Sequence, residues 1–143
     1  MNNKKEAILS LPGLRESILD SREKIIEFCK NFSNDKKLLF RLELILEEIL
    51  LNIADYGYTD IKGDIVISLS DEDKYFILSV TDHGIPFNPV SQKKPDTNLS
   101  IEERKPGGLG IFFIKKFSDS IEYKRKENQN ILRLTLNKEN KNV

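Results

Sequence analysis

The chain has 143 residues, 38% hydrophobic and 32% charged, and its 23 basic and 23 acidic side chains leave no net charge. That length and mix suit one soluble domain with one core, and the balance gives no basic field for nucleic acid or anionic lipid. A single cysteine, Cys29, excludes an internal disulfide or a multi-cysteine metal site, and a single histidine, His83, excludes a histidine cluster or a Ser-His-Asp triad. No apolar run is long enough to span a bilayer, and Met1-Asn2-Asn3-Lys4-Lys5-Glu6 leads into no apolar signal core. A cytoplasmic protein with no membrane and no direct nucleic-acid contact is therefore expected.

In chain order, Glu6 to Leu11 reads as a strand with Ala7, Leu9 and Leu11 on one face, broken by Pro12-Gly13. Leu14, Ile18, Ile25, Phe28 and Phe32 recur at helical spacing, which predicts one amphipathic helix over 14–32 with Cys29 as a small buried filler. Ser33-Asn34-Asp35 signals the cap of a second helix. Its stripe is Leu39, Leu42, Leu46, Ile49 and Ile53, it runs to about Tyr56, and Gly57 stops it. Asp64 to Ser70 and Tyr75 to Asp82 alternate and form a hairpin around Asp71-Glu72-Asp73. Asn88 to Pro106 is polar, holds Pro89, Pro95 and Pro106, and reads as a lid-like loop. A third helix spans Ile111 to Phe117. Two closing strands follow, Ser120 to Lys126 and Ile131 to Asn137, with Asn128-Gln129-Asn130 turning between them and a frayed tail over 138–143. No linker divides the chain, so a single domain with its core over 6–137 is expected. The order predicts an α+β, two-layer sandwich: a mainly antiparallel sheet with three helices on one face.

Three stretches carry chemistry. Glu48 and Asn52 lie one helical turn apart at the margin of an apolar stripe, where a carboxylate and an amide need partners. Asp82 shares a strand face with Phe76, Leu78 and Val80, so it points where the core points, just before Gly84. Gly107-Gly108-Leu109-Gly110 opens a helix, where free backbone N–H groups suit an anion. Neither GxxxxGK[ST] nor GxGxxG is present, so this is neither a P-loop nor a dinucleotide site. Taken singly, each stretch has an ordinary alternative: a solvated helix edge for Glu48 and Asn52, with Glu47 as a competing carboxylate, and a strand-end turn for Asp82. His83 reads as a loop histidine, and Lys115 and Lys116 as a solvated helix face.

Together and in this order, Glu48-xxx-Asn52, Asp82-x-Gly84 and Gly107-Gly108-Leu109-Gly110 resemble the ATP site of the GHKL, or Bergerat-fold, ATPase and kinase superfamily over residues 6–137. Asn52-Ile53-Ala54-Asp55-Tyr56-Gly57-Tyr58, Gly84-Ile85-Pro86-Phe87-Asn88-Pro89 and Asp119 after the last helix look like the bacterial anti-sigma factor serine-protein kinases of the partner-switching type. The resemblance implies ATP and Mg²⁺ as cofactors, with Asn52 holding the metal and Glu48 as general base. It implies that Asp82 accepts from the adenine amino group, that Gly84 lets the backbone pass close to the base, and that Phe87 belongs to the cofactor-binding set. Gly107, Gly108, Leu109 and Gly110 would meet the phosphates, and Arg104 at the end of the lid over 88–106 would neutralise their charge. It further implies phosphorylation of a STAS-domain anti-anti-sigma partner, sequestration of a sigma factor, and a homodimer. A non-catalytic ATP-binding module that holds a regulator without phosphoryl transfer is the alternative. Histidine kinases need a phosphoacceptor histidine on a dimerising hairpin, and this sequence has neither.

Overall fold

The structure is a computed structural model that describes residues 5–91 and 108–139. Residues 92–106 of the expected 88–106 lid, with Arg104, lie outside the described residues, as do Gly107 and residues 140–143 of the expected 138–143 tail. Five strands form one sheet in the order β1-β2-β3-β5-β4, with every neighbouring pair antiparallel. They are β1 (Glu6–Pro12), β2 (Asp64–Asp71), β3 (Tyr75–Asp82), β4 (Ser118–Lys126) and β5 (Gln129–Asn137). The period-2 pattern sets the register: Ile67 pairs with Val80, and Val80 with Leu132. Ile65, Ile67, Leu69, Phe76, Leu78, Val80, Leu132, Leu134 and Leu136 are buried beneath the helices.

The helix layer holds α1 (Arg15–Asp20), α2 (Arg22–Lys30), α3 (Lys36–Asn52) and α4 (Leu109–Phe117). In place of one helix over 14–32 there are two, because the chain leaves helical geometry at Ser21 (φ −95°, ψ 13°). Asp20-Ser21-Arg22 falls between the buried Ile18 and Ile25 and offers the core nothing, while Asp and Ser are weak helix formers. Leu14, counted in that stripe, stands 52% exposed. Among the described residues the expected three helices thus become four.

The Asp35 carboxylate caps α3, accepting from Lys37 N at 2.9 Å and Leu38 N at 3.4 Å, a contact worth about 1 kcal/mol. Leu38, Leu42, Ile45, Leu46, Ile49 and Leu50 bury the inner face of α3. After Asn52 the helix widens into a π-turn, Ile53–Gly57, closed by Tyr58 N donating to Ile53 O at 3.0 Å. Such turns recur at functional sites, and this one swings Gly57 beneath the end of β3. Among the described residues no helix is long and apolar enough to cross a membrane.

Candidate nucleotide site

The site starts where alternation leaves Asp82 on the core face at the end of β3. Asp82 is 1% exposed. Its Oδ1 accepts from Gly84 N at 2.9 Å and from Asn130 Nδ2 at 2.9 Å. No donor reaches Oδ2 among the described residues, so one carboxylate oxygen is tied and the other is a free acceptor. Burial raises the Asp82 pKa, opposed by the Asn130 and Gly84 donors and by the charges of Arg125 and His83.

Gly84 is required by close approach rather than by flexibility. A Cβ there would meet Gly57 O at 2.5 Å, at the point where Ile85 N donates to that same carbonyl at 3.0 Å. Arg125 Nη1 donates to Gly84 O at 2.7 Å. The turn after β3 is thereby clamped between the π-turn and β4, and it leads to Phe87, whose ring lies 5.7 Å from that of Tyr56.

Asn130 is the polar residue that sequence reasoning missed. It was expected in a turn, but Glu127 (φ 51°) and Asn128 (φ 64°) make the turn, in the left-handed pattern of a two-residue hairpin. Asn130 therefore sits within β5, directly opposite Asp82, and is 1% exposed. Its Nδ2 also donates to Ile85 O at 2.7 Å, and its Oδ1 accepts from Phe87 N at 3.3 Å and from the Tyr123 hydroxyl. The available signal was the pattern itself: counting outward from Leu132 places Asn130 on the inner face.

The second half of the site lies between α3 and α4. Asn52 Nδ2 donates to Pro89 O at 3.0 Å, which leaves its Oδ1 as an acceptor. Glu48, one turn earlier, accepts from Gly108 N at 3.0 Å through Oε1. Gly108 takes φ 94°, which favours glycine, and opens α4. Gly110 is pressed onto α3, so that a Cβ would lie 2.5 Å from Glu48 Cβ. Leu109, the first residue of α4, is 46% exposed. Glu47 faces elsewhere and holds Arg22 Nη2 at 3.0 Å.

The structure thus gathers Asp82, Gly84 and Phe87 at the sheet end, and Glu48, Asn52, Gly108 and Gly110 at the helix junction, with Pro89 linking the two. Among the described residues no group of three or more His, Cys, Asp or Glu side chains could hold a metal. The exposed His83 ring lies 3.0 Å from Gln129 Nε2. Cys29 is fully buried and its thiol is pushed up to about 12, chiefly by desolvation, which makes it inert.

An antiparallel sheet with this strand order and helices on one face is the α+β sandwich of the GHKL ATPases. More particularly, the chain belongs to the histidine kinase-like ATPase domain family, whose model matches residues 13–136. It is similar to the serine/threonine-protein kinase BtrW of Bordetella bronchiseptica, 28% identical over 100 residues that cover 69% of this chain and 70% of that protein. It is also similar to the serine-protein kinase RsbW of Bacillus mycoides, 25% identical over 95 residues, 64% of this chain and 59% of that protein, which is under two thirds of the relative's length. The histidine kinase AdeS of Acinetobacter baumannii is similar at 16% identity and a TM-score of 0.47, covering 95% of this chain and 68% of that one.

Proposed function

We propose that the chain is an ATP-dependent serine/threonine-protein kinase and anti-sigma regulatory factor. It phosphorylates a STAS-domain anti-anti-sigma partner and sequesters a sigma factor, as a cytoplasmic homodimer. The observation that carries this reading is the buried Asp82 with one tied and one free oxygen, beside Gly84, where an added Cβ would have no room. A base that offers a 6-amino group, as adenine does, satisfies Oδ2, while guanine held in the same pose would set its 6-carbonyl oxygen against it. Phe87 and the Gly84 backbone, which follow Asp82 in the same turn, would lie against that base. The family, matched over residues 13–136, and the kinase relatives, matched over 69% and 64% of this chain, support the reading.

The residues present fit Mg²⁺ as well. With Nδ2 committed to Pro89, Asn52 offers one neutral hard oxygen, the kind of ligand that Mg²⁺ accepts alongside phosphate and water oxygens. When bound, the ion neutralises phosphate charge. Gly107, Gly108, Leu109 and Gly110 would offer amides to the phosphates, and Arg104 a positive charge. In the transfer step the serine or threonine oxygen bonds to the terminal phosphorus, the bond from that phosphorus to ADP breaks, and the hydroxyl proton passes to Glu48. Phosphoprotein and ADP leave.

One observation favours the alternative, a module that binds ATP without transfer: Glu48 is already engaged by Gly108 N. Calorimetry with ATP and ADP, followed by mass spectrometry of STAS-domain proteins from the same source after incubation with Mg·ATP, tests both readings. Binding with transfer supports the kinase. Binding without transfer selects the module, and a folded protein that binds neither nucleotide refutes both.

A further inference from the structure

Phe40 on α3 and Leu109 and Phe112 on α4 are 53%, 46% and 51% exposed, side by side on the helix layer. Phe113 joins them, its ring edge-on to Phe40 at 6.3 Å and 5.7 Å from Phe112. Gly110 lies against Glu48 while Phe113 lies against Phe40, so the two helices run antiparallel. The aromatic strip therefore begins one turn from the Glu48–Gly108 contact and ends among Lys36, Lys37, Lys115 and Lys116. These lysines are exposed, and none makes an ion pair among the described residues. Lys116 Nζ lies 5.6 Å from the Phe112 ring. Phe113 packs against the core at the inner edge of the strip, while Phe40, Leu109 and Phe112 take no part in the core, and a grouped apolar surface rimmed by charge marks an interaction site.

We propose that this strip is the docking surface for the phosphoacceptor protein, which meets it with an apolar knob flanked by Asp or Glu side chains. The inference rests on the kinase reading above and adds where the substrate sits and what recognises it. Position argues for the substrate: the strip starts at Glu48, where the acceptor hydroxyl must arrive. Phe112 follows Gly108 by one helical turn, about 6 Å along the axis, so one small partner surface reaches both anchor and site. Charge argues for acidic flanks: the chain is neutral overall, yet at this end of the helix layer the exposed Lys36, Lys37, Lys115 and Lys116 outnumber the exposed Asp35 and Asp119. Buried aromatic anchors of this kind dominate interface energetics, with charged residues at the rim.

The test uses the full chain, Phe112→Ser and the double charge reversal Lys115→Glu/Lys116→Glu, all at surface positions, with a STAS-domain protein from the same source as substrate. ADP affinity by calorimetry, oligomeric state by sedimentation, and steady-state transfer are measured on each. The expected result is KM for the protein substrate raised about tenfold or more by Phe112→Ser, the size of losing an anchor, with kcat and ADP affinity unchanged. The charge reversal should raise KM at low salt and less at high salt. An unchanged KM overturns the proposal while leaving the kinase reading intact. A fall in ADP affinity assigns the strip to the nucleotide or to the chain's own 92–107 segment, and a lost dimer with unchanged KM assigns it to self-association; either overturns the proposal. If the wild type transfers phosphate to no STAS protein, the kinase reading fails and the docking surface falls with it.

Discussion

Asp82→Asn should separate binding from stability, moving them in opposite directions. The Asp82 carboxyl is held above its ordinary value of 3.8, first by burial. A raised carboxyl pKa means that the folded chain binds this proton more tightly than the unfolded chain. The associated stability is fully present below the unfolded value and is lost as pH rises through the folded one. Asparagine of the same shape removes that loss: its Oδ1 accepts from Gly84 N and Asn130 Nδ2 as the carboxylate does, and nothing buried ionises. The variant should melt at or above the wild type at neutral pH, with an advantage that opens above the unfolded value near 3.8 and then levels off. Binding goes the other way. The free Oδ2 becomes an amide donor facing a donor, and losing a hydrogen bond to a charged group is worth about 1.5–3 kcal/mol, or roughly 10–150-fold in Kd. Thermal melts across pH and calorimetry with ADP measure the two effects. A folded variant with wild-type ADP affinity would refute the base-recognition role, and a variant that melts well below the wild type at neutral pH would refute the burial argument.

Glu48→Ala should slow transfer by about 10²–10⁴, the usual worth of a positioned base, while ADP binds at least as tightly because Gly108 N is released from its internal acceptor. A wild-type rate would remove Glu48 from the chemistry. Asn52→Ala should abolish Mg²⁺-dependent nucleotide binding and transfer yet leave weak metal-free ADP binding, and calorimetry with and without Mg²⁺ distinguishes these. Asn130→Ala strips a donor from Asp82 and Ile85 and leaves the Tyr123 hydroxyl without its acceptor. It should cost about 1–3 kcal/mol of stability and weaken ADP binding, and an unchanged denaturant midpoint would contradict the network.

Alternation made the strands legible, and with them the inward aim of Asp82, because a strand side chain has only two directions. The apolar stripe of α3 and its Asp35 cap were legible for the same kind of reason. What escaped depended on partners far along the chain. Glu47 and Glu48 are adjacent at one stripe edge, and only Arg22, 25 residues away, takes Glu47 out of contention. Asn128-Gln129-Asn130 holds two turn-forming asparagines, and nothing local says that Glu127 and Asn128 take the positive φ values. The break at Ser21 and the π-turn after Asn52 followed from packing that a periodicity count does not contain.

The two halves of the proposed site are built differently, and that difference bears on how they work. At the sheet end every polar group but one is satisfied: Asp82 Oδ1, the Asn130 amide, the Tyr123 hydroxyl and the Ile85 and Phe87 backbone form a closed network on paired strands. Low dielectric strengthens such a network and holds it rigid, so the free Oδ2 is aimed before any ligand arrives. At the helix junction the groups satisfy each other instead: Glu48 takes the Gly108 amide, and Asn52 donates to Pro89. A helix N-terminal amide also suits phosphate oxygens, so under the proposed function an arriving nucleotide would both fill that junction and free the carboxylate. On the proposed reading, base recognition would be preorganised, while Glu48 would become available as proton acceptor only with the phosphates in place.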